Sequence, residues 1–320
     1  LVNDPKRPLH NKAIQAEYPP ASTYKIITAM AALEEGVMDE QTTVYCPGGL
    51  RFGNRTYRCW KRQGHGSMDI NEAIAQSCDV FFYQAGKQLG VDRIAEYAKA
   101  SGLGQKTGIP LAHEAEGLVP TSEWKQRKIG IPWQAGENLS IAIGQGYNLA
   151  TPLQMAMLTA AVANGGKLYK PRIMRRVESV QGRIEGKMQI GKPDPLPASQ
   201  ETLEIIRKGL YDVVHHRRGT AYWYVRSKEV AISGKTGTAQ VISRRAGQEE
   251  ADQGDQYLPH AWFVGYAPSD RPEIAVCVFI EHGEHGSSGA GPLAKEMVLS
   301  YLTSQDDPEA EGSASNPDSE

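Results

Sequence analysis

The chain has 320 residues, of which 40% are hydrophobic and 22% are charged, a composition typical of a globular protein with a substantial core. Its 35 Lys and Arg residues nearly balance 37 Asp and Glu residues, and the net charge of -2 excludes the basic excess of nucleic-acid-binding proteins. The longest apolar runs, such as 274–280, are too short to cross a bilayer. Nucleic acid is therefore not an expected partner.

The first predicted helix carries a serine and a lysine on its first turn. Apolar residues recur at helical spacing from 26 to 33, after two prolines and before a glycine that favours a helix end at Gly36. Ser22 and Lys25 share one face at this spacing, so the hydroxyl and the amine are expected within hydrogen-bonding reach. Such a pair suits a nucleophile and its base, and unpaired N–H groups at a helix start can stabilise an oxyanion. A second Ser-x-x-Lys match, 122–125, is explained by helix capping, so the motif alone is a weak signal.

The next segments are a long loop and an interrupted helix. Residues 37–68 show no periodicity and are too many for an idle connection. A helical pattern then begins at Asp69, pauses at Ser77–Asp79, resumes to about 89 and is followed by a short helix over 92–100. Two other Ser-x-Asp matches, at 67–69 and 304–306, do not interrupt a helix, so only Ser77 is expected on a loop that presents its hydroxyl.

The remaining elements predict an α+β fold. Thr151 and Pro152 begin a helix that ends near 164, and Ser199 caps a helix through about His215. Short runs rich in β-branched or aromatic residues then predict antiparallel strands over 229–232, 238–242, 260–266 and 274–281, with a closing helix over 289–302. Residues 304–320 lack large apolar side chains and are expected to form a disordered tail after a single domain over 1–303.

A lysine flanked by glycines lies within the strand region. In the segment 233–239, glycines at 234 and 237 indicate close approach of a ligand or another backbone to Lys235. The same Lys-Thr-Gly triplet at 106–108 lies in a Gly-rich turn before a proline, without a surrounding strand. The context therefore favours Lys235 as the functional copy.

Three motifs together resemble a known family. In chain order they are Ser22-Thr-Tyr-Lys25, Ser77-Cys-Asp79 and Lys235-Thr-Gly-Thr238, which match the signature of penicillin-binding proteins and class A β-lactamases. The segments 144–147, 151–154 and 261–268 are similar to class B penicillin-binding transpeptidases, and Gly64-His-Gly66 with Ser-Cys-Asp is most similar to penicillin-binding protein 2 of the rod-shape system. The resemblance covers about 3–302 and implies a β-lactamase/transpeptidase-like fold, an antiparallel sheet flanked by helices plus a helical lobe.

The resemblance implies a mechanism for four residues. Neutral Lys25 would take the proton of Ser22, and burial near the second cation Lys235 would depress the pKa of Lys25 towards that state. Ser22 would attack the D-Ala-D-Ala carbonyl of a peptidoglycan stem peptide, and Ser77 would relay a proton to the leaving nitrogen. No cofactor is expected for this catalysis.

It also implies a set of substrate-binding residues. Lys235, Thr236 and Thr238 would bind the terminal carboxylate, and Gly237 and Asp79 are expected in the same substrate-binding set. Backbone N–H groups of Ser22 and Thr238 would hold the oxyanion. Asp79 replaces the more usual Asn, and as an anion beside two lysines it would raise their pKa values, which leaves its role open.

Three functions compete at this stage: a transpeptidase, a hydrolase that uses water (a DD-carboxypeptidase or β-lactamase), and a β-lactam sensor that is acylated without turnover. The motifs over 144–154 favour the transpeptidase, while Glu114, Glu116 and Glu137 stay open as deacylating carboxylates. The chain begins with Leu1 and not with Met, so we expect it to be a fragment. The resemblance implies that the missing part contains a membrane anchor, a pedestal domain and the first strands of the sheet. The resemblance then places the protein at the periplasmic face of the inner membrane, with a RodA-type glycan polymerase as partner and β-lactams as inhibitors.

The cysteines raise the possibility of a zinc site. Cys277 lies in an apolar strand, which leaves Cys46, Cys59, Cys78 and His65 as three thiols and an imidazole, a set suited to a structural zinc. A metal there would attach the Ser77 turn to the 46–65 segment. The competing expectation is a Cys46–Cys59 disulfide with Cys78 buried and His65 at the surface, reasonable in an oxidising compartment.

Overall fold

The computed structural model describes residues 9–240 and 258–305. Its helices are α1 Lys12–Gln15, α2 Lys25–Glu34, α3 Ile70–Ala75, α4 Asp79–Ala100, α5 Ser122–Ile129, α6 Glu137–Ala142, α7 Pro152–Ala163, α8 Gln200–His215, α9 Tyr222–Val225 and α10 Gly291–Gln305. A 3-10 turn, Ala21–Tyr24, precedes α2, and a π-helical turn, Gly286–Ala290, precedes α10. The strands are β1 Val44–Cys46, β2 Gly49–Phe52, β3 Arg55–Arg58, β4 Gly66–Met68, β5 Lys167–Leu168, β6 Arg176–Glu178, β7 Ile184–Lys187, β8 Asp194–Pro195, β9 Ser233–Ala239, β10 His260–Ala267 and β11 Ile274–Ile280.

The largest described sheet is an antiparallel meander in the order β11-β10-β9, as the α+β prediction requires. Strand β10 is the middle strand and is almost entirely buried. Within the described residues, β9 pairs with β10 alone, with Val264 opposite Lys235. The motif segment therefore lies in an edge strand of the described sheet.

The predicted bounds of the first strand were wrong. Residues 229–232 form no strand, and one strand, Ser233–Ala239, replaces the two predicted over 229–232 and 238–242. Glycine and lysine have low β propensity, but pairing with the buried β10 overrides that preference here. Residues 241–242 lie outside the described residues.

Helices cover the sheet. Helix α7 packs against β10 and β11, α10 also contacts both strands, and α8 packs against β9. The predicted helix starts are confirmed: Thr151 and Gln154 form a capping box at α7, and Ser199 Oγ accepts from Thr202 N at 3.1 Å at α8. Helix α8 buries a stripe of residues at helical spacing, each worth about 2 kcal/mol of hydrophobic burial: Leu203, Ile206, Leu210, Val213 and Val214.

The interrupted helix is confirmed, whereas the long loop is partly sheet. Helix α3 ends at Ala75, α4 begins at Asp79, and Gly90 with φ 74° breaks α4 near the predicted position. Within 37–68, β2 pairs with β3 and β1 pairs with β4, so the predicted loop contains two small antiparallel pairs. A two-residue Gly53-Asn54 turn joins β2 to β3, a hairpin signal available in the sequence.

The closing helix begins later and ends later than predicted, at Gly291 and Gln305. The first two residues of the predicted tail thus continue α10, and 306–320 lie outside the described residues. Among residues 9–240 and 258–305, no helix combines the length and the apolar character that a membrane crossing demands.

Candidate active site

The Ser22 turn, Ala21–Tyr24, is held in a strained conformation. Ala21 has φ 49°, which is unfavourable for a residue with a side chain, and its N–H donates to Gly144 O at 2.9 Å. Gly144 has φ 70°, and a Cβ there would lie 2.2 Å from Ala21 O. Glycine is therefore required at 144, and the turn that presents Ser22 is held by the segment 144–147. Strain of this kind is common at functional sites.

The same turn packs against β9. A Cβ on Gly237 would lie 3.1 Å from Thr23 Cγ2 and 3.2 Å from Pro20 O, closer than ordinary contact. The absence of a side chain at Gly237 thus lets the Ser22 turn lie directly on the strand that carries Lys235. This contact is the close backbone approach that the flanking glycines predict.

Lys25 lies at the centre of the site and is fully buried. Its Nζ donates to Asp79 Oδ1 at 2.6 Å, to Ser77 O at 3.0 Å and to Ser77 Oγ at 3.1 Å. Although both residues are described, no hydrogen bond joins Lys25 Nζ to Ser22 Oγ, so the predicted Ser22–Lys25 bond is absent from this conformation. The Asp79 carboxylate and the Ser77 carbonyl draw the amine across the site instead. Catalytic hydrogen bonds are often loose in free enzymes and tighten with substrate.

The Ser77 loop, 76–78, is also strained, since Ser77 has φ 54°. Trp60, which the sequence analysis did not single out, holds this loop in place: its Nε1 donates to Gln76 O and Ser77 O, both at 3.0 Å, and its backbone N–H donates to Asp79 Oδ2 at 2.9 Å. Burial is the largest effect on the Asp79 carboxyl and raises its pKa, against the opposing charge of Lys25. Both carboxylate oxygens of Asp79 thus bond within the protein.

Lys235 brings a second fully buried cation into the site. Burial lowers the pKa of its amine well below the ordinary value, the charge of Lys25 lowers it further, and Asp79 opposes both effects. Its Nζ donates to Thr236 O at 3.3 Å. Two lysines beside one carboxylate give the site an excess of basic groups, which suits an anionic substrate group.

Both side chains of the second Ser-x-x-Lys match, Ser122 and Lys125, bond to acidic residues outside the motif. Lys125 Nζ pairs with Glu137 at 2.6 Å, while Ser122 Oγ donates to Asp92 at 2.6 Å. Of the three acidic residues left open above, Glu137 is therefore paired with Lys125, and Glu114 accepts from Thr107 N at 2.8 Å. Glu116 contributes its backbone carbonyl to a hydrogen bond from Gln154.

The four predicted metal ligands converge in one buried cluster. One donor atom from each of Cys46, Cys59, His65 and Cys78 lies within 4.8 Å of all the others. His65 Nδ1 lies 3.5 Å from both Cys46 Sγ and Cys59 Sγ. All three cysteines are free thiols in this structure, so the Cys46–Cys59 disulfide is not formed.

The fold and these motifs define a class of protein, which comparison with known families identifies. The family described as penicillin binding protein transpeptidase domain matches residues 1–299. The chain belongs to this family.

Within the family, three similar proteins are named either peptidoglycan D,D-transpeptidase MrdA or penicillin-binding protein 2. The peptidoglycan D,D-transpeptidase MrdA of Haemophilus influenzae is 39% identical over 307 residues, which cover 94% of this chain and 47% of that protein. Penicillin-binding protein 2 of Pseudomonas aeruginosa in complex with WCK 5153 gives a TM-score of 0.82 at 36% identity, covering 94% of this chain and 65% of that one. The complex between penicillin-binding protein 2 and MreC from Helicobacter pylori gives a TM-score of 0.83 at 34% identity, covering 95% of this chain and 53% of that one. The chain is thus similar to the transpeptidase domains of penicillin-binding protein 2 (MrdA) relatives and spans about half the length of the curated relatives it matches.

Proposed function

We propose that this chain is the catalytic domain of a peptidoglycan D,D-transpeptidase that forms an acyl-enzyme on Ser22. The observation that carries the proposal is the convergence of three separate segments. The buried Lys25, which follows the Ser22 turn, bonds to Ser77 and Asp79, and β9 packs directly on the Ser22 turn. The relative named D,D-transpeptidase supports the reaction type.

The proposed reaction requires Lys25 in its neutral form, not in the protonated form that donates to Asp79 and Ser77 here. Neutral Lys25 Nζ accepts the Ser22 hydroxyl proton as Ser22 Oγ bonds to the carbonyl carbon of the penultimate D-Ala. The C–N bond to the terminal D-Ala then breaks. Ser77 Oγ, 3.1 Å from Lys25 Nζ, delivers a proton to the leaving nitrogen and is reprotonated from Lys25. The amine of a second stem peptide then attacks the acyl carbon and gives up a proton to Lys25 Nζ. The ester bond to Ser22 Oγ breaks, Ser22 Oγ takes up a proton from Lys25, and the new amide bond is the cross-link.

The same proposal assigns substrate binding to β9. Lys235 supplies the cation for the terminal carboxylate, while the hydroxyls of Thr236 and Thr238 supply neutral donors. Gly237 keeps this surface close to the Ser22 turn, because a side chain there would push the two apart. Asp79 stays a predicted substrate-binding residue, and its bonds to Lys25 and Trp60 suggest that it also positions the base.

Labelled penicillin and a stem-peptide substrate test the proposal together. We expect a stable covalent label, together with release of D-Ala from a stem pentapeptide that increases when an amine acceptor is supplied. Rapid loss of the label would favour the water-using carboxypeptidase or β-lactamase. A stable label without D-Ala release would favour the sensor.

Localisation and partners are part of the proposal. The resemblance implies the periplasmic face of the inner membrane, an upstream anchor and a RodA-type polymerase, and the Helicobacter pylori relative is complexed with MreC. We expect the complete reading frame to encode an upstream apolar helix of about 20 residues. A complete reading frame without such a helix would contradict this placement.

We also propose that the cluster of Cys46, Cys59, Cys78 and His65 holds a structural zinc ion. Tetrahedral Zn²⁺ with ordinary bond lengths separates sulfur and nitrogen ligands by roughly 3.5 Å, and His65 Nδ1 lies 3.5 Å from two thiol sulfurs. A hydrogen bond with Cys78 is the largest effect on the Cys59 thiol and lowers its pKa, so one thiol is already disposed to ionise. Zinc would cross-link the 46–65 segment to the Ser77 loop, and no catalytic step passes through it.

Metal analysis of the purified protein tests this site, with Cys277→Ser as the matched control because Cys277 lies outside the cluster in β11. We expect about one zinc per chain, lost in Cys59→Ser or His65→Ala together with reactivity towards penicillin, and retained in Cys277→Ser. Metal-free protein with a Cys46–Cys59 bridge by mass spectrometry would contradict the assignment.

A further inference from the structure

Thr220 links two of the three segments that form the site. It follows α8 and lies partly buried between the Ser77 loop and β9. Its backbone N–H donates to Ala75 O at 3.1 Å, two residues before Ser77. Its hydroxyl lies 2.8 Å from the Thr236 hydroxyl, a hydrogen bond in which either oxygen can donate.

The position of Thr220 does not depend on its hydroxyl. Gly219 N donates to His216 O at 2.8 Å, and Ala221 N donates to Val213 O at 3.0 Å, so both neighbours are bonded back to the end of α8. Helix α8 is itself anchored by its buried apolar stripe. The backbone can thus hold the residue in place when the hydroxyl is removed, which leaves the hydroxyl free for another role.

The direction of the Thr220–Thr236 bond decides what Thr236 can offer a ligand. If Thr236 donates to Thr220, its only proton is used. If Thr220 donates, the Thr236 proton is free to bond to a carboxylate, and the two bonds form a chain in which each strengthens the next. A carboxylate accepts hydrogen bonds and donates none when ionised, so it selects the second arrangement.

We propose that Thr220 is a positioning residue whose hydroxyl donates to Thr236 and thereby directs the Thr236 proton to the substrate carboxylate. This inference rests on the proposed function, since it assigns Thr236 to the terminal carboxylate of the stem peptide or the corresponding carboxylate of a β-lactam. Thr220 itself need not touch the substrate. Its loss weakens recognition of the carboxylate and leaves the acylation step at Ser22 intact.

The test compares benzylpenicillin with its methyl ester, which lacks the ionised carboxylate. Variants Thr220→Val, Thr220→Ser and the control Thr43→Val, at an exposed threonine outside the site, are measured for binding and acylation constants and for Tm. We expect Thr220→Val to weaken binding of the acid about five- to tenfold, within the range for the loss of one hydrogen bond between neutral groups. The acylation rate constant, the reaction with the ester and the Tm stay near wild type, and Thr220→Ser restores binding.

Several outcomes would overturn the inference. Equal losses of binding for the acid and the ester would indicate that Thr220 has a structural role. Unchanged binding of the acid in Thr220→Val, or no rescue of binding by Thr220→Ser, would show that Thr236 binds the carboxylate without help from Thr220. If Thr220→Val does not fold, Thr220→Ala against Thr220→Ser provides the same comparison. Failure of the wild-type protein to be acylated would instead refute the proposed function, and the inference with it.

Discussion

Ser22→Ala should lose all covalent labelling by penicillin while its Tm stays close to that of the wild type. The residue is only partly buried, and its hydroxyl makes no hydrogen bond within the described part of the chain, so removing one oxygen costs little stability. The acyl bond cannot form without that oxygen. Gel fluorescence of the labelled protein and thermal unfolding are the measurements.

Ser122→Ala is the matched control for this change. Ser122 also lies three residues before a lysine, but it contacts Asp92, and Lys125 is paired with Glu137. Its replacement should leave labelling at the wild-type level. Labelling that survives in Ser22→Ala and disappears in Ser122→Ala would reverse the assignment.

Lys25→Arg should reduce the rate of acylation about 10²- to 10⁴-fold, the usual contribution of a general base. A guanidinium keeps the positive charge beside Asp79 but cannot be deprotonated in a protein, so it removes the base and retains the ion pair. The measurement is the second-order rate constant for labelling, with Tm as the check on folding.

Lys25→Met provides the comparison that separates chemistry from stability. It leaves the buried Asp79 carboxylate without its cation, a change that typically costs 3–5 kcal/mol. We therefore expect Lys25→Met to be inactive and clearly less stable than Lys25→Arg. Labelling of Lys25→Arg at the wild-type rate would show that Lys25 is not the base.

The three motifs were enough to predict which distant side chains meet. Lys25, Ser77 and Asp79 are brought into direct contact although 52 and 54 residues separate the last two from Lys25. The interruption of a helical pattern also predicted a loop at Ser77, whereas the strain in that loop was not predicted. The replacement of Asn by Asp at position 79 can be seen in the sequence. The hydrogen bond from the Trp60 backbone N–H to the Asp79 carboxylate cannot.

The missed features depend on contacts between distant segments. Trp60 and Thr220 belong to no periodic pattern, and their hydrogen bonds go to backbone or side-chain groups 16 or more residues away. The bounds of β9 were missed because glycine and lysine disfavour strands until pairing with β10 is known. The small strands within 37–68 were missed because each has only three or four residues.

Peptide mapping of the wild-type protein after reaction with benzylpenicillin tests the central claim most directly. The protein is digested, and the peptide that carries the penicilloyl group is identified by mass spectrometry. We predict a single adduct on Ser22, formed at about one group per chain when the reaction is complete. An adduct on Ser77, Ser122 or any other residue, or no adduct on folded protein, would contradict the assignment of Ser22 as the nucleophile.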